Sequence, residues 1–262
     1  MDNTHERLRI FIVNPGRVGS SLLSVIMADA GADFGMPAPR EWQPGQGEME
    51  HPEMTAAADG FARAHALSAE KPVSRLLRWR WDLERHRAKG RLAVALPKAR
   101  FFKADNLDLA VRPALQAGYL PRVVLNYRRF GDHAKSLYLR RGHLSVDRLA
   151  ARYERICANG LMLLYLFGGC AVEYEELADA SQTAWAGALA EAMGLDRGRL
   201  LQAREARVSL RSRAGEDERP PVLVPRLESL YEEMRAYSGR AVAPSEPARR
   251  NWERALERQR QD

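Results

Sequence analysis

The stretch Leu8-Arg9-Ile10-Phe11-Ile12-Val13-Asn14-Pro15-Gly16-Arg17-Val18-Gly19-Ser20-Ser21-Leu22-Leu23-Ser24-Val25-Ile26-Met27 decides the fold. Five of its first six residues are apolar, Arg9 being the exception, and three are β-branched, without alternation. That pattern predicts a parallel strand buried on both faces. Pro15-Gly16 then turns the chain, and residues 20–27 read as a helix that Gly31 stops. Strand, glycine turn and helix together open a βαβ unit. The same alternation continues downstream. Short strands are expected at 100–103 and 171–174 and a strong one at 122–127. Helices are expected at 53–68, at 72–89 ending on Gly90, at 107–117 broken near Pro113, at 132–140 and at 146–167. Residues 32–55 read as a long loop, with Pro37, Pro39, Pro44, Gly45, Gly47 and Pro52. From Leu177 the chain is mostly helical, interrupted by a Ser- and Arg-rich turn at 208–215 and by Pro220-Pro221. Strands alternating with helices predict an α/β fold with a mostly parallel sheet. The 262 residues suit a single domain over 1–262 whose C-terminal part, 180–262, is helical.

Composition narrows the class. The charge is +7, with 41 Lys and Arg against 34 Asp and Glu, which points to an anionic partner: nucleic acid, an acidic membrane surface or a phosphorylated small molecule. Residues 71–103 alone hold eleven basic residues against Asp82 and Glu84, so the rest of the chain is slightly acidic. A general nucleic-acid coat spreads charge more widely, so a local site or one basic helix fits better. Cys157 and Cys170 are the only cysteines, which excludes a disulfide framework and suits a reducing, cytoplasmic setting. No His, Cys and Asp constellation has metal-ligand spacing, so no metal is expected. The polar, acidic N-terminus shows no signal peptide, and the apolar stretch 160–172 is too short to span a bilayer. Of Trp79 and Trp81, which cannot share a helical face, one is expected in the core. His51, among Glu48, Glu50 and Glu53, reads as part of a solvated acidic loop.

The loop Asn14 to Ser21 carries the first chemistry. A glycine turn exposes backbone N–H groups, the next helix adds its positive dipole end, and Ser20 and Ser21 add hydroxyl donors. Arg17 contributes a fixed charge with a planar fork of donors. A nucleotide-hydrolase P-loop needs a lysine after its last glycine, and here Ser20 follows Gly19 directly. The basic residue instead precedes the glycine. That order resembles the 5′-phosphosulfate loop of the sulfotransferase family, whose usual form is Pro-Lys/Arg-Ser-Gly-Thr/Ser-Thr/Ser. Arg17, Gly19, Ser20 and Ser21 match it, and Val18 stands where serine is usual.

Three further stretches extend the resemblance, in the family's order. Arg128-Arg129-Phe130-Gly131-Asp132-His133-Ala134-Lys135-Ser136 resembles the family's Arg-x-Pro-x-Asp-x-x-x-Ser, with Phe130 in place of proline. The resemblance implies that Arg128 and Ser136 hold the 3′-phosphate of the donor. Phe101-Phe102-Lys103-Ala104-Asp105 resembles the Lys-Thr-His stretch, which places Lys103 near the sulfonate and Asp105 where many members have the catalytic histidine. Val172-Glu173-Tyr174-Glu175-Glu176-Leu177 resembles a Tyr-Glu-Asp-Leu strand end, which implies Tyr174 beside the adenine. Arg211 and Arg213 are the candidates for the C-terminal basic loop that also touches the 3′-phosphate.

The resemblance implies a three-layer αβα, P-loop-like sulfotransferase architecture. It implies an enzyme moving a sulfonate from 3′-phosphoadenosine 5′-phosphosulfate (PAPS) to a hydroxyl or amine of a small-molecule or carbohydrate acceptor. Adenosine 3′,5′-bisphosphate (PAP) would be the product, with no metal and no nucleic-acid partner. Arg17, Lys103 and Asp105 are the expected catalytic residues. The expected donor-binding residues are Arg17, Gly19, Ser20, Ser21, Arg128, Ser136, Tyr174, Arg211 and Arg213. Residues 35–90 match the family least and are the expected mobile, acceptor-binding segment. Acceptor identity and oligomeric state, a homodimer among the options, stay open. So do a P-loop kinase or NTPase, a family member that binds nucleotide without catalysis, and a non-catalytic basic protein binding nucleic acid through 71–103.

Overall fold

A computed structural model describes residues 4–40, 49–69, 75–141, 145–208 and 224–258. Five strands form one sheet: β1 (Leu8–Val13), β2 (Phe101–Lys103), β3 (Leu120–Tyr127), β4 (Gly169–Glu173) and β5 (Ala241–Val242). Their order is β2-β1-β3-β4-β5. The first four run parallel and β5 pairs antiparallel with β4. The α/β class with a mostly parallel sheet and helices on both faces is therefore as the sequence predicts.

Side-chain alternation along β1 explains the layers. Ile10 and Ile12 point to one face, where they join Phe101, Val124, Cys170 and Val172. Helices α2 (Ser20–Asp29), α9 (Ala184–Met193) and α10 (Arg197–Val208) cover that face. Phe11 and Val13 point the other way, with Phe102, Val123, Leu125 and Tyr127. There they meet α3 (Pro52–Ala69), α4 (Arg75–Ala95), α5 (Val111–Gln116), α6 (Phe130–Arg141), α7 (Val146–Phe167) and α11 (Pro225–Arg235). The described residues also form the short helices α1 (Thr4–Arg7) and α8 (Tyr174–Ala178) and a later helix, α12 (Glu246–Arg258). Among the described residues no helix is long and apolar enough to cross a membrane.

Three expectations shift. Helix α4 runs through Gly90 to Ala95, because Ala88, Leu92 and Ala95 continue one buried stripe while Gly90 faces open space. An outward glycine costs a helix only about 1 kcal/mol. The break near Pro113 falls earlier: a 3-10 turn spans Leu107–Leu109 and α5 then starts at Val111. Pro113 lies in the first turn of α5, where a missing N–H costs nothing. Strand β4 stops at Glu173, opposite Tyr127, and Tyr174 begins α8. Strand β5 carries no sequence signal, being two residues long. The turn at 208–215 and Pro220-Pro221 lie almost wholly outside the described residues.

Helix α7 delivers the chain to β4 through Gly168 and Gly169. Gly169 sits at φ 140°, and a Cβ there would lie 1.8 Å from the Val123 carbonyl oxygen. No rotation of a side chain relieves a clash with backbone. Gly169→Ala is expected to cost about 3 kcal/mol or more, since it combines a forbidden backbone angle with overpacking of a strand pair. Gly31→Ala, with φ 100° but open space, pays the backbone term alone, about 1–2 kcal/mol. Denaturant midpoints for the two variants check this. Equal losses would contradict the packing account of β4.

Candidate functional site

Helices following β1 and β3, neighbours in the sheet, leave on opposite faces: α2 joins one core and α6 the other. Open parallel sheets bind ligands at the carboxyl ends of such a strand pair. Loop 14–19 and the start of α6 border this crevice.

The loop is set by its own residues. The Asn14 side chain accepts a hydrogen bond from the Gly16 N–H at 3.0 Å and donates to the Ile12 carbonyl at 3.2 Å. This Asx turn tolerates the left-handed backbone that follows. Gly16, Arg17 and Gly19 have φ of 83°, 54° and 75°. Val18 is fully buried and anchors the loop between them. Gly19 caps α2 with no side-chain oxygen, so the cap itself supplies no acceptor for the first-turn N–H groups.

Four sequence stretches meet here. Arg17 Nε donates to Ser136 Oγ at 3.4 Å, joining the loop to α6. Lys103 Nζ donates to Ser21 Oγ at 3.1 Å, joining β2 to the first turn of α2. A Cβ on Gly19 would lie 2.3 Å from the Tyr174 ring, so the tyrosine after β4 rests directly on the loop. The Arg128 guanidinium lies 4.4 Å above the same ring. Asp105 Oδ1 lies within 3.5 Å of where a Gly16 Cβ would be. Arg17, Gly19, Ser21, Lys103, Asp105, Arg128, Ser136 and Tyr174 thus share one neighbourhood at the strand ends. Ser20 is buried at the start of α2, its carbonyl accepting from Ser24 Oγ. Arg211 and Arg213 lie outside the described residues.

Carboxylates face three of the site's basic side chains. Lys103, 3% exposed, pairs with Glu50 at 2.7 Å. Arg128 pairs with Glu175 at 2.8 Å, and Arg152 pairs with Asp105 at 2.9 Å. Two of these carboxylates pair with Lys103 and Arg128, the cations for which the sequence resemblance implies an anionic ligand. Beneath Asp105, Arg155 and Asn159 reach the fully buried Asp108 carboxylate at 2.5 and 2.9 Å. Burial raises the Asp108 pKa and the Arg155 charge opposes the rise. All three non-glycine residues with left-handed backbone among the described residues border this site: Arg17, Met49 before Glu50, and Asn106 after Asp105. Such angles cluster where surrounding structure fixes a functional geometry.

Several of these partners have no motif signal. Glu50 and His51 come from the long loop. His51 is not solvated, as expected, but buried edge-on to Phe102 at 6.2 Å. The spacing of Arg152, Arg155 and Asn159 along one face of α7 is the sequence signal for the partners of Asp105 and Asp108. Neither tryptophan is in the core. Trp79 is 62% exposed, and Trp81 lines a cavity of about 340 Å³ with the Arg85 guanidinium 5.2 Å over its ring.

His133, inside the 128–136 motif, also carries weight. Its ring lies 2% exposed between Phe130 and Tyr153, with centroids 6.1 and 5.3 Å away. The Gly16 backbone favours its charged form, and its Nδ1 is buried without a protein partner. The buried Phe130 ring completes this cluster. Burial, aided by the charges of Arg152, Arg128 and Arg17, pushes the His133 pKa down to about 4.

The folded state therefore binds fewer protons at His133 than the unfolded chain between pH 6.5 and about 4. Stability from this residue is complete above pH 6.5 and falls as pH drops, by up to about 3 kcal/mol. Melting temperatures from pH 7.5 to 5 should decline less steeply for His133→Gln than for the wild type. Parallel curves would contradict the role given to His133 under the loop.

Comparison with protein-family models, with curated proteins and with solved structures finds no match to this chain.

Proposed function

We propose that this chain is a sulfotransferase that moves a sulfonate from PAPS to a hydroxyl or amine of a small-molecule or carbohydrate acceptor. One observation carries the proposal. Residues from four motif stretches far apart in sequence meet around one loop: Arg17 with Ser136, Ser21 with Lys103, and the Tyr174 ring on the Gly19 backbone. A coincidental set of capped turns has no reason to converge. The carboxylates of Glu50 and Glu175 on Lys103 and Arg128 mark two places where negative charge is accommodated.

In this reading Arg128 and Ser136 hold the 3′-phosphate, and Arg17 with Gly19, Ser20 and Ser21 holds the 5′-phosphosulfate. Tyr174 lies beside the adenine. Lys103 neutralises charge on the sulfonate. The acceptor oxygen or nitrogen forms a bond to sulfur as the bond from sulfur to the 5′-phosphate oxygen breaks, and the acceptor proton passes to a carboxylate. As in phosphoryl transfer, catalysis comes mainly from positioning and fixed charge. The sequence offers Asp105 as the base, and Asp105 is held by Arg152. Glu50 is the second candidate, because it already sits on Lys103, the residue placed at the sulfonate.

Incubation with PAPS and a metabolite extract, followed by mass spectrometry, should give sulfonated products. Absence of both sulfonated product and donor consumption would contradict the proposal. With an acceptor in hand, Arg128→Ala should raise the donor KM about tenfold or more, the loss expected for a charge-assisted phosphate contact. Of Glu50→Gln and Asp105→Asn, the one that removes the base should lower kcat by about 10²–10⁴. Near-normal kcat in both would remove carboxylate base catalysis from the mechanism.

A further inference from the structure

The transfer site makes no use of α4, although this helix carries seven of the chain's Lys and Arg residues. Its inner side is settled: Ala88, Leu92 and Ala95 are buried, and Ala88 packs so closely on α3 that a Cβ at Gly60 would lie 2.9 Å from it. At 3.6 residues per turn the opposite side carries Trp79, Leu83, His86, Gly90 and Val94, spaced i, i+4, i+7, i+11 and i+15. Trp79 is 62% and Val94 49% exposed, Leu83 is half-buried, His86 is exposed, and nothing lies within 4 Å of the Gly90 Cβ position. The outermost line of the helix is thus largely apolar, where a solvated helix puts its charges.

Cations flank this line on both sides. Arg80, Arg87 and Arg91 run along one edge and Arg78 and Lys89 along the other, all five exposed. Of the two acids, Asp82 lies on the second edge, and Glu84 is held by Arg63 at 2.9 Å. From Trp79 to Val94 the ridge is about 22 Å long. A ridge of this composition fits a surface that is anionic and also admits apolar side chains. A bilayer containing acidic lipid has both properties: headgroups meet the arginines, and tryptophan is at home at the boundary with the acyl chains. A nucleic acid supplies the charge but no depth for Val94 and Leu83.

We infer that α4 docks flat on anionic membrane, with Trp79 and Val94 dipping into the interface and the two basic edges on the headgroups. The chain would be peripheral, with no crossing segment required. The inference stands apart from the sulfotransferase reading.

Sedimentation of the full chain with vesicles tests it. Phosphatidylcholine vesicles with about one-third phosphatidylglycerol should bind the protein, salt should weaken binding, and phosphatidylcholine alone should bind far less. Arg80→Gln with Arg91→Gln should lower partitioning roughly thirtyfold, about fivefold for each basic residue removed. Trp79→Ala should lower it several-fold with an unchanged melting temperature, because the side chain packs on little else. No binding to the anionic vesicles overturns the inference. So does binding that ignores both sets of substitutions, or binding to a single-stranded oligonucleotide that exceeds binding to the vesicles.

Discussion

The structure hangs on the burial of β1 on both faces. Ile10 and Ile12 fill one core, Phe11 and Val13 the other, and the strand is paired on both edges by β2 and β3. A one-residue slip would exchange its two faces, so register is tightly held. Register then fixes where the chain must turn. Val13, Lys103 and Tyr127 end their strands at one edge of the sheet, and the residues that follow are delivered to a common place. The site is a consequence of hydrophobic packing some distance beneath it. The Tyr174 ring on Gly19 is the clearest example: the contact needs β4 in register with β3, and it needs a residue without a Cβ in the loop.

Electrostatic balance is the second constraint. Lys103 is almost wholly buried, and a buried ammonium without a partner is costly. Glu50 and Ser21 provide for it, and Glu175 and the Tyr174 ring do the same for Arg128. The left-handed backbone at Arg17, Met49 and Asn106 lies beside these pairs, so strain and charge are concentrated in one region and supported by the layers around it. An anionic ligand entering this region exchanges one set of negative partners for another and leaves the cations in place.

Much of this was legible in the sequence because it depends on local signals. The apolar run at 8–13, interrupted only by Arg9, marks β1, and the apolar face of 146–167 marks α7 to its bounds. The motif residues lie at strand ends or in the first two turns of the helix that follows, where local spacing fixes them. Other features depend on distant partners. Gly90 looks like a stop until Leu92 and Ala95 are seen to share a buried side with Ala88. Glu50 in a Pro- and Gly-rich loop looks solvated until β2 brings Lys103 to it. His133 is an ordinary helix residue until Gly16 is above it. Trp79 and Trp81 diverge around α4 as their spacing requires, but the one expected in the core is not there: Trp79 faces solvent and Trp81 a cavity.

The central claim is that Arg128 and Ser136 with the loop at 16–21 form one site for a nucleotide phosphorylated at both the 3′ and 5′ positions. Calorimetric titration with adenosine 3′,5′-bisphosphate and, in parallel, adenosine 5′-monophosphate tests it most directly. The account predicts one site per chain, with the bisphosphate bound about tenfold or more tightly because the 3′-phosphate adds charge-assisted contacts. Absence of binding by the bisphosphate, or equal affinity for the two nucleotides, would contradict it.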